Sequence, residues 1–220
     1  MAANSISAET LLHWLQNCAD SYVQHKDELT ELDAAIGDAD HGANMARGFA
    51  AVLAALDAKP AATPGAVLIL TGSTLVSKVG GASGPLYGTA FRRAGQALGD
   101  AVVVDLPLFG QALEAALAGV QQLGAAQEGD KTMVDALAPA ARAFTKAVTE
   151  GAAQADGLSA AAMAAAEGAA ATVSMQARKG RASYLGPRSV GHEDPGAAST
   201  ALILAALRDA AAQDTNAGAL

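Results

Sequence analysis

At 220 residues the chain is long enough for one sizeable core and short for two ordinary domains. Hydrophobic residues make up 51% and aromatics only 4%, with alanine alone near a quarter, which predicts closely packed helices and excludes a bulky sheet core. Fourteen basic against 22 acidic residues give a formal charge of −8, which argues against grip on nucleic acid or on an anionic membrane surface.

The pattern reads as about eight amphipathic helices joined by short glycine-rich turns. The first spans about 7–25, with Leu11, Leu12, Leu15, Cys18 and Tyr22 at three- and four-residue spacing. A second, at about 44–56, carries Met45, Phe49, Val52, Leu53 and Leu56. Others are expected at about 64–78, 85–99, 107–123, 131–149, 158–176 and 196–212. Val102–Val104 suggest at most a short strand and do not by themselves make a sheet. The alanine-dense stretch 152–171 keeps a stripe of Leu158, Met163 and Val173, so it is expected to be a tightly packed helix; the tail after about Gln213 is expected to fray. No apolar run reaches the length of a membrane span, and the N-terminus lacks the basic and apolar regions of a secretory signal. Cys18 is the one cysteine and excludes an internal disulfide. A cytoplasmic, all-α, single-domain protein covering 1–220 is the expectation.

The longer breaks hold the unusual residues. In LDAAIGDADHGANM, residues 32–45, Asp33, Asp38 and Asp40 fall close together and are followed by His41, Gly42 and Asn44. Three neighbouring carboxylates repel one another, and a hard divalent cation relieves the repulsion. A solvated acidic turn capping the helix at Asn44 explains the same residues. The loop is not an EF-hand: counted from Asp38, the sixth position is Ala43 and the twelfth Phe49, where glycine and glutamate are required.

GGASGP, residues 80–85, offers backbone N–H groups and Ser83 to an anion, with Pro85 suited to the first position of a helix; a plain helix–helix turn fits equally. It has neither the Lys-Ser/Thr of a Walker loop nor a preceding strand. GDKTM, 129–133, supplies an N-cap candidate in Asp130 and a candidate phosphate cation in Lys131, and also reads as an ordinary helix start. Residues 177–196 form a long connection that gathers Arg178, Lys179, Arg181 and Arg188. A basic loop opposite an acidic one suits a magnesium–polyphosphate ligand; a solvated basic loop is the alternative. Cys18 sits on an apolar stripe, His13 and His25 look like ordinary helix residues, and His41 and His192 lie in the special loops.

In this order, GDADHG, GGASGP, GDKTM and ARKGRASYLG…GHEDPG resemble the nucleotide-binding L subunit of dihydroxyacetone kinases (the DhaL family), over nearly the whole chain. The resemblance implies an antiparallel eight-helix barrel with the site in the loops at one end. It implies that Asp33, Asp38 and Asp40 bind two Mg²⁺ ions bridging the phosphates of ADP or ATP. It further implies that His41, Gly42, Ala43 and Asn44 line the nucleotide, that Ala82 and Ser83 hold phosphate, that Gly124 and Met133 flank the adenine, and that Arg181, Asp194, Pro195 and Gly196 close the site. The implied reaction is phosphoryl transfer to dihydroxyacetone, held covalently through a histidine on a separate K subunit, so the chain is expected to be inactive alone. A stand-alone L subunit resembles the phosphotransferase-linked form, in which retained ADP is rephosphorylated by a phosphohistidine carrier (M type) fed from phosphoenolpyruvate. The same barrel serving an ATP-dependent kinase for a tetrose or fatty acid, a nucleotide-binding adaptor for a regulator, and a metal-dependent hydrolase are the competing readings.

Overall fold

The structure, a computed structural model, describes residues 5–217, with side chains to 214. Among the described residues nine α-helices follow in chain order: α1 (Ala8–Gln24), α2 (Lys26–Ile36), α3 (His41–Ala58), α4 (Pro64–Lys78), α5 (Ser83–Leu98), α6 (Leu106–Gly124), α7 (Val134–Thr149), α8 (Gln154–Ala171) and α9 (Pro195–Ala217). Side chains define several of their starts. Ser7, Thr63 and Asp105 each accept a hydrogen bond from the backbone N–H three residues on, opening α1, α4 and α6.

Eight of the nine form a ring in which α1 packs on α3, each later helix on its successor, and α9 back on α1. Neighbours run antiparallel. Trp14 Nε1 donates to Ile203 O and Tyr22 Oη to Ser199 O between α1 and α9, and early α6 faces late α7 where Gly110 meets Phe144 and Thr145. The expected eight-helix barrel is therefore present, and α2 is an additional helix lying outside the ring against α3 and α9. The periodicity of α2 was too weak to read: it buries only Leu29, Asp33 and Ile36, and one of those three is a carboxylate.

Aromatic rings are few and concentrated inside the ring. Tyr22 lies 4.9 Å from Phe49, Phe49 6.1 Å from Phe91, and Phe91 5.5 Å from Trp14, with Phe109 and Phe144 forming a separate edge-on pair. Between α4 and α5 the backbones themselves touch. A Cβ on Gly72 would lie 2.5 Å from Gly88 O, and one on Gly95 2.6 Å from Gly65 O.

The remaining differences from the sequence reading are local. Val104–Asp105 pairs antiparallel with Ser5–Ile6, a two-residue ribbon whose partner lies too far along the chain to be seen from the valines alone. Helix α8 starts at Gln154 and buries Leu158 with Ala161, Ala162, Ala165 and Ala169, while Met163 and Val173 face solvent, so alanine is the packing face. Leu12 is likewise off the buried stripe of α1. The tail expected to fray continues as helix to Ala217, and 218–220 lie outside the described residues. Among the described residues no helix is long and apolar enough to cross a membrane.

Candidate functional site

The up-and-down ring gathers the N-termini of α3, α5, α7 and α9 at one end. Helix N-termini present unpaired N–H groups and partial positive charge, so this end attracts anions. Between them lies a cleft of about 350 Å³.

One corner is acidic. Asp33 lies on the last turn of α2 and is buried; its Oδ2 accepts from the N–H of Asp40 at 2.9 Å and of His41 at 3.1 Å. Gly37 leaves room for that carboxylate, since a Cβ there would sit 2.0 Å from Asp33 Oδ1. Ala39 takes a left-handed φ of 62°, which folds the chain back between Asp38 and Asp40. The result is one oxygen from each of Asp33, Asp38 and Asp40 within 4.8 Å of one another, with Asp38 and Asp40 exposed. Such an all-oxygen, triply charged donor set fits a hard cation such as Mg²⁺ and is poor for zinc. Arg181 reaches the same corner from the basic segment and pairs with Asp38 Oδ2 at 3.0 Å.

A second corner is the glycine-rich loop. Helix α5 begins at Ser83, so Pro85 is its third residue and not its first. Ser83 Oγ lies 3.1 Å from His41 Nδ1, and His41 Nε2 lies 2.8 Å from Ser199 Oγ. Tyr87 Oη continues the chain of bonds to Ser199 Oγ at 2.7 Å and Thr200 Oγ1 at 2.9 Å. Burial pushes the His41 imidazole below its ordinary value, opposed by Asp33 and Asp40, and pushes the Tyr87 phenol up. Both are uncharged at neutral pH.

The third corner corrects the reading of GDKTM. Asp130 does not cap α7; its carboxylate accepts from Gln127 N–H, while Asp135 accepts from Gly129 and Thr132 N–H and Thr132 Oγ1 from Val134 N–H. Lys131 borders the cleft, and its Nζ donates to the backbone oxygens of Thr172 and His192. Its ammonium is held below its ordinary value by burial, opposed by Asp194, Glu193 and Asp135.

The long basic segment is not structureless. A short 3-10 turn at Thr172–Ser174 precedes it, and it contains another at Arg181–Ser189, bent at Gly186. Of its four cations, Lys179 and Arg181 line the cleft, and Arg178 and Arg188 do not. His192 is exposed and contributes its carbonyl. Asp194 precedes α9 and is buried, its Oδ2 accepting from Ala197 N–H at 2.8 Å; burial pushes its carboxyl up to about 7, opposed by that bond and by Lys131.

The cleft thus brings together Asp33, Asp38, Asp40, His41, Ala82, Ser83, Gly124, Met133, Arg181, Asp194, Pro195 and Gly196. It does not bring Gly42, Ala43 or Asn44 to its wall. A Cβ on Gly42 would strike Lys26 O of α2 at 2.0 Å, so this glycine serves helix packing. Asn44 is buried beneath Gly80 and accepts from Arg47 at 2.5 Å, and Ala43 is half-buried. Sequence reasoning missed Gly37, Tyr87 and the apolar lining residues Leu86, Val120, Ala126 and Val134. Only Gly37 carried a readable signal, inside the acidic motif itself.

The sequence profile of the DAK2 domain matches residues 35–209, which embrace the acidic corner beyond Asp33, the glycine-rich loop and the basic segment. The chain belongs to the DAK2 domain family. It is 44% identical over 207 residues to the PEP-dependent dihydroxyacetone kinase, ADP-binding subunit DhaL, of Escherichia coli (strain K12), covering 94% of this chain and 99% of that one. It is 41% identical over 201 residues to the PEP-dependent dihydroxyacetone kinase 1, ADP-binding subunit DhaL, of Listeria innocua, covering 89% and 93%. Among solved structures it resembles the dihydroxyacetone kinase from C. freundii in complex with AMP-PNP and Mg²⁺, at 29% identity and a TM-score of 0.69 over 94% of this chain. This chain spans 35%, about a third, of the length of that kinase.

Proposed function

We propose that the whole chain acts as one nucleotide-binding domain, the L subunit of a phosphoenolpyruvate-dependent dihydroxyacetone kinase in the cytoplasm. The observation that carries the reading is the meeting of three carboxylate oxygens within 4.8 Å with four helix N-termini around a single cleft. Either feature alone has an ordinary structural explanation; together they complement a metal–diphosphate, with anion and cation each provided for. The DhaL relatives, named as ADP-binding subunits, support ADP as the resident ligand and phosphoenolpyruvate as the ultimate donor.

In this reading Asp33, Asp38 and Asp40 hold two Mg²⁺ ions, which when bound neutralise the charge on the diphosphate and on the transferring group. The backbone of Gly80–Ser83 and the Ser83 hydroxyl orient the phosphates. His41, whose imidazole burial holds below its ordinary value, fixes Ser83 in place. Arg181 covers the acidic corner, and Gly124, Met133 and the apolar wall take the adenine. Gly42, Ala43 and Asn44 support the ligand from beneath, through α3. The acceptor, dihydroxyacetone, is carried by a separate K subunit, and a phosphohistidine carrier recharges the bound ADP.

The test is direct. Purified protein should release ADP on denaturation, identified by mass, and Asp38→Asn or prolonged chelation should empty it. Labelled phosphoenolpyruvate with the general carriers, the M-type carrier and the K subunit should yield labelled dihydroxyacetone phosphate only when this chain is present. Nucleotide that survives both the substitution and the chelator would overturn the metal-bridged site.

A further inference from the structure

Both roots of the segment between α8 and α9 converge on one side chain that the nucleotide reading does not use. Lys131 is 1% exposed, although lysine is rarely buried without compensation. Its Nζ donates to Thr172 O at 2.5 Å, where the segment leaves α8, and to His192 O, just before it enters α9. Two further rungs join the same roots. Gly191 N–H donates to Val173 O at 2.8 Å, and Asp194 N–H to Thr172 Oγ1 at 2.9 Å. Lys131 also takes a left-handed φ of 61°, a conformation that is unfavourable for a non-glycine residue and persists only where surrounding contacts enforce it. Although Lys131 borders the cleft, both hydrogen bonds its ammonium makes go to these two carbonyls.

Beyond these rungs the loop 173–191 is largely exposed, and its buried anchors are Ala177, Ala182 and Ser189. Ala177 and Ala182 pack with Ile36 of α2, and Arg181 beside them reaches Asp38. What holds the loop over the cleft is therefore its closed base, the bond from Arg178 N–H to Asp130 O at 3.0 Å, the exposed Arg181–Asp38 pair and a small apolar contact.

We propose that Lys131 is a positioning residue that latches the base of loop 173–191 and thereby sets how fast a bound nucleoside diphosphate leaves the cleft. The second half of this statement rests on the nucleotide reading; the latch does not.

The latch is tested on the ligand-free chain by trypsin cleavage at Arg178, Arg181 and Arg188 and by hydrogen exchange at Gly191. In the wild type the Gly191 amide should exchange about tenfold or more slowly than in an unstructured peptide. Lys131→Met should raise loop cleavage and Gly191 exchange about tenfold while amides of α4 and α5 keep their rates, and Lys131→Arg should recover part of the protection. With Mg²⁺ present, a fluorescent ADP analogue should leave Lys131→Met about fivefold or more faster than the wild type. Equal loop protection in the wild type and Lys131→Met overturns the latch, as does an equal rise of exchange throughout α4 and α5. Loss of ADP affinity with loop protection intact also overturns it, returning Lys131 to the role of a phosphate cation. If Lys131→Met does not fold, the wild-type Gly191 rate decides alone, because free exchange there means the base is open. If the wild type binds no ADP analogue, the nucleotide reading has failed and the protease arm still decides the latch.

Discussion

His41 and Ser83 are joined by a hydrogen bond of 3.1 Å from Nδ1 to Oγ, and the other imidazole nitrogen meets Ser199 Oγ at 2.8 Å. One buried ring therefore ties the first residues of α3 and α5 to the second turn of α9, joining three of the four helices whose starts frame the cleft. His41→Ala removes the ring and leaves the Ser83 hydroxyl without this partner, so urea unfolding should show a loss of about 2–4 kcal/mol. His41→Gln keeps one of the two bonds and should lose about 1 kcal/mol.

Asp33 and Asp38 belong to the same cluster but differ in what else they do. Asp33 is buried and accepts two backbone N–H groups, so Asp33→Asn should destabilise the fold by about 2–3 kcal/mol as charge-assisted bonds weaken. Asp38 is exposed and its partner Arg181 more so, and pairs of this kind contribute about 0–1 kcal/mol, so Asp38→Asn should unfold close to the wild type. Both variants should lose the rise in melting temperature that millimolar Mg²⁺ with ADP gives the wild type. A differential scan of the three proteins with and without ligand separates the structural carboxylate from the ligand-only one.

Arg181→Ala carries the complementary expectation. Deleting an exposed guanidinium should change stability by less than about 1 kcal/mol, whereas retention of ADP through gel filtration should fall. The loss should be largest at low ionic strength, where a solvent-exposed cation acts most strongly.

The ring of helices was legible because apolar residues at three- and four-residue spacing in α1, α3 and α4–α7 have little choice but to face inward. Helix α2 was hidden for the opposite reason, since a short helix outside a barrel buries too little to leave a stripe, and Asp33 on its buried face breaks the pattern further. The site was legible wherever function demands an unusual composition: acid-rich, glycine-rich or base-rich loops. It was not legible where ordinary residues do the work. Leu86 and Val120 form the apolar wall, Tyr87 underpins the His41 bonds, and Lys131 turned inward; none differs in sequence from a core or surface residue, and their roles exist only once the helices close into a ring.

Asp194 gives the stability a pH dependence with a definite sign. Burial raises its folded-state carboxyl to about 7, above the value near 4 of an unfolded aspartate. Between these two values the folded protein binds the extra proton, so the contribution of Asp194 is fully present below about pH 4 and is lost as pH rises through about 7. His41, held below its ordinary value, acts in the opposite direction by losing stability on acidification, so the wild-type profile alone is ambiguous. Asp194→Asn keeps an acceptor for Ala197 N–H and removes the titration. The stability of the variant relative to the wild type should therefore rise from pH 4 to pH 8, read as the difference between their denaturation midpoints. A flat difference would show that the carboxyl titrates normally.

The close approach of α4 and α5 makes one wall position intolerant of a side chain. Gly72 and Gly88 face each other so closely that a Cβ on Gly72 meets Gly88 O at 2.5 Å and the backbone nitrogen of Arg92 at 2.8 Å. Neither neighbour is a flexible side-chain end, so the clash is relieved only by moving the helices apart. In an isolated helix glycine to alanine gains about 1 kcal/mol of propensity. Here Gly72→Ala should instead cost about 1–3 kcal/mol, the usual penalty of overpacking, and the shift should reach the start of α5 and hence Ser83. Ala66, exposed on the same helix, supplies the control: Ala66→Gly should cost only the propensity, about 1 kcal/mol. Thermal unfolding of the two variants, with ADP retention measured alongside, should show Gly72→Ala impaired in both respects and Ala66→Gly in stability alone.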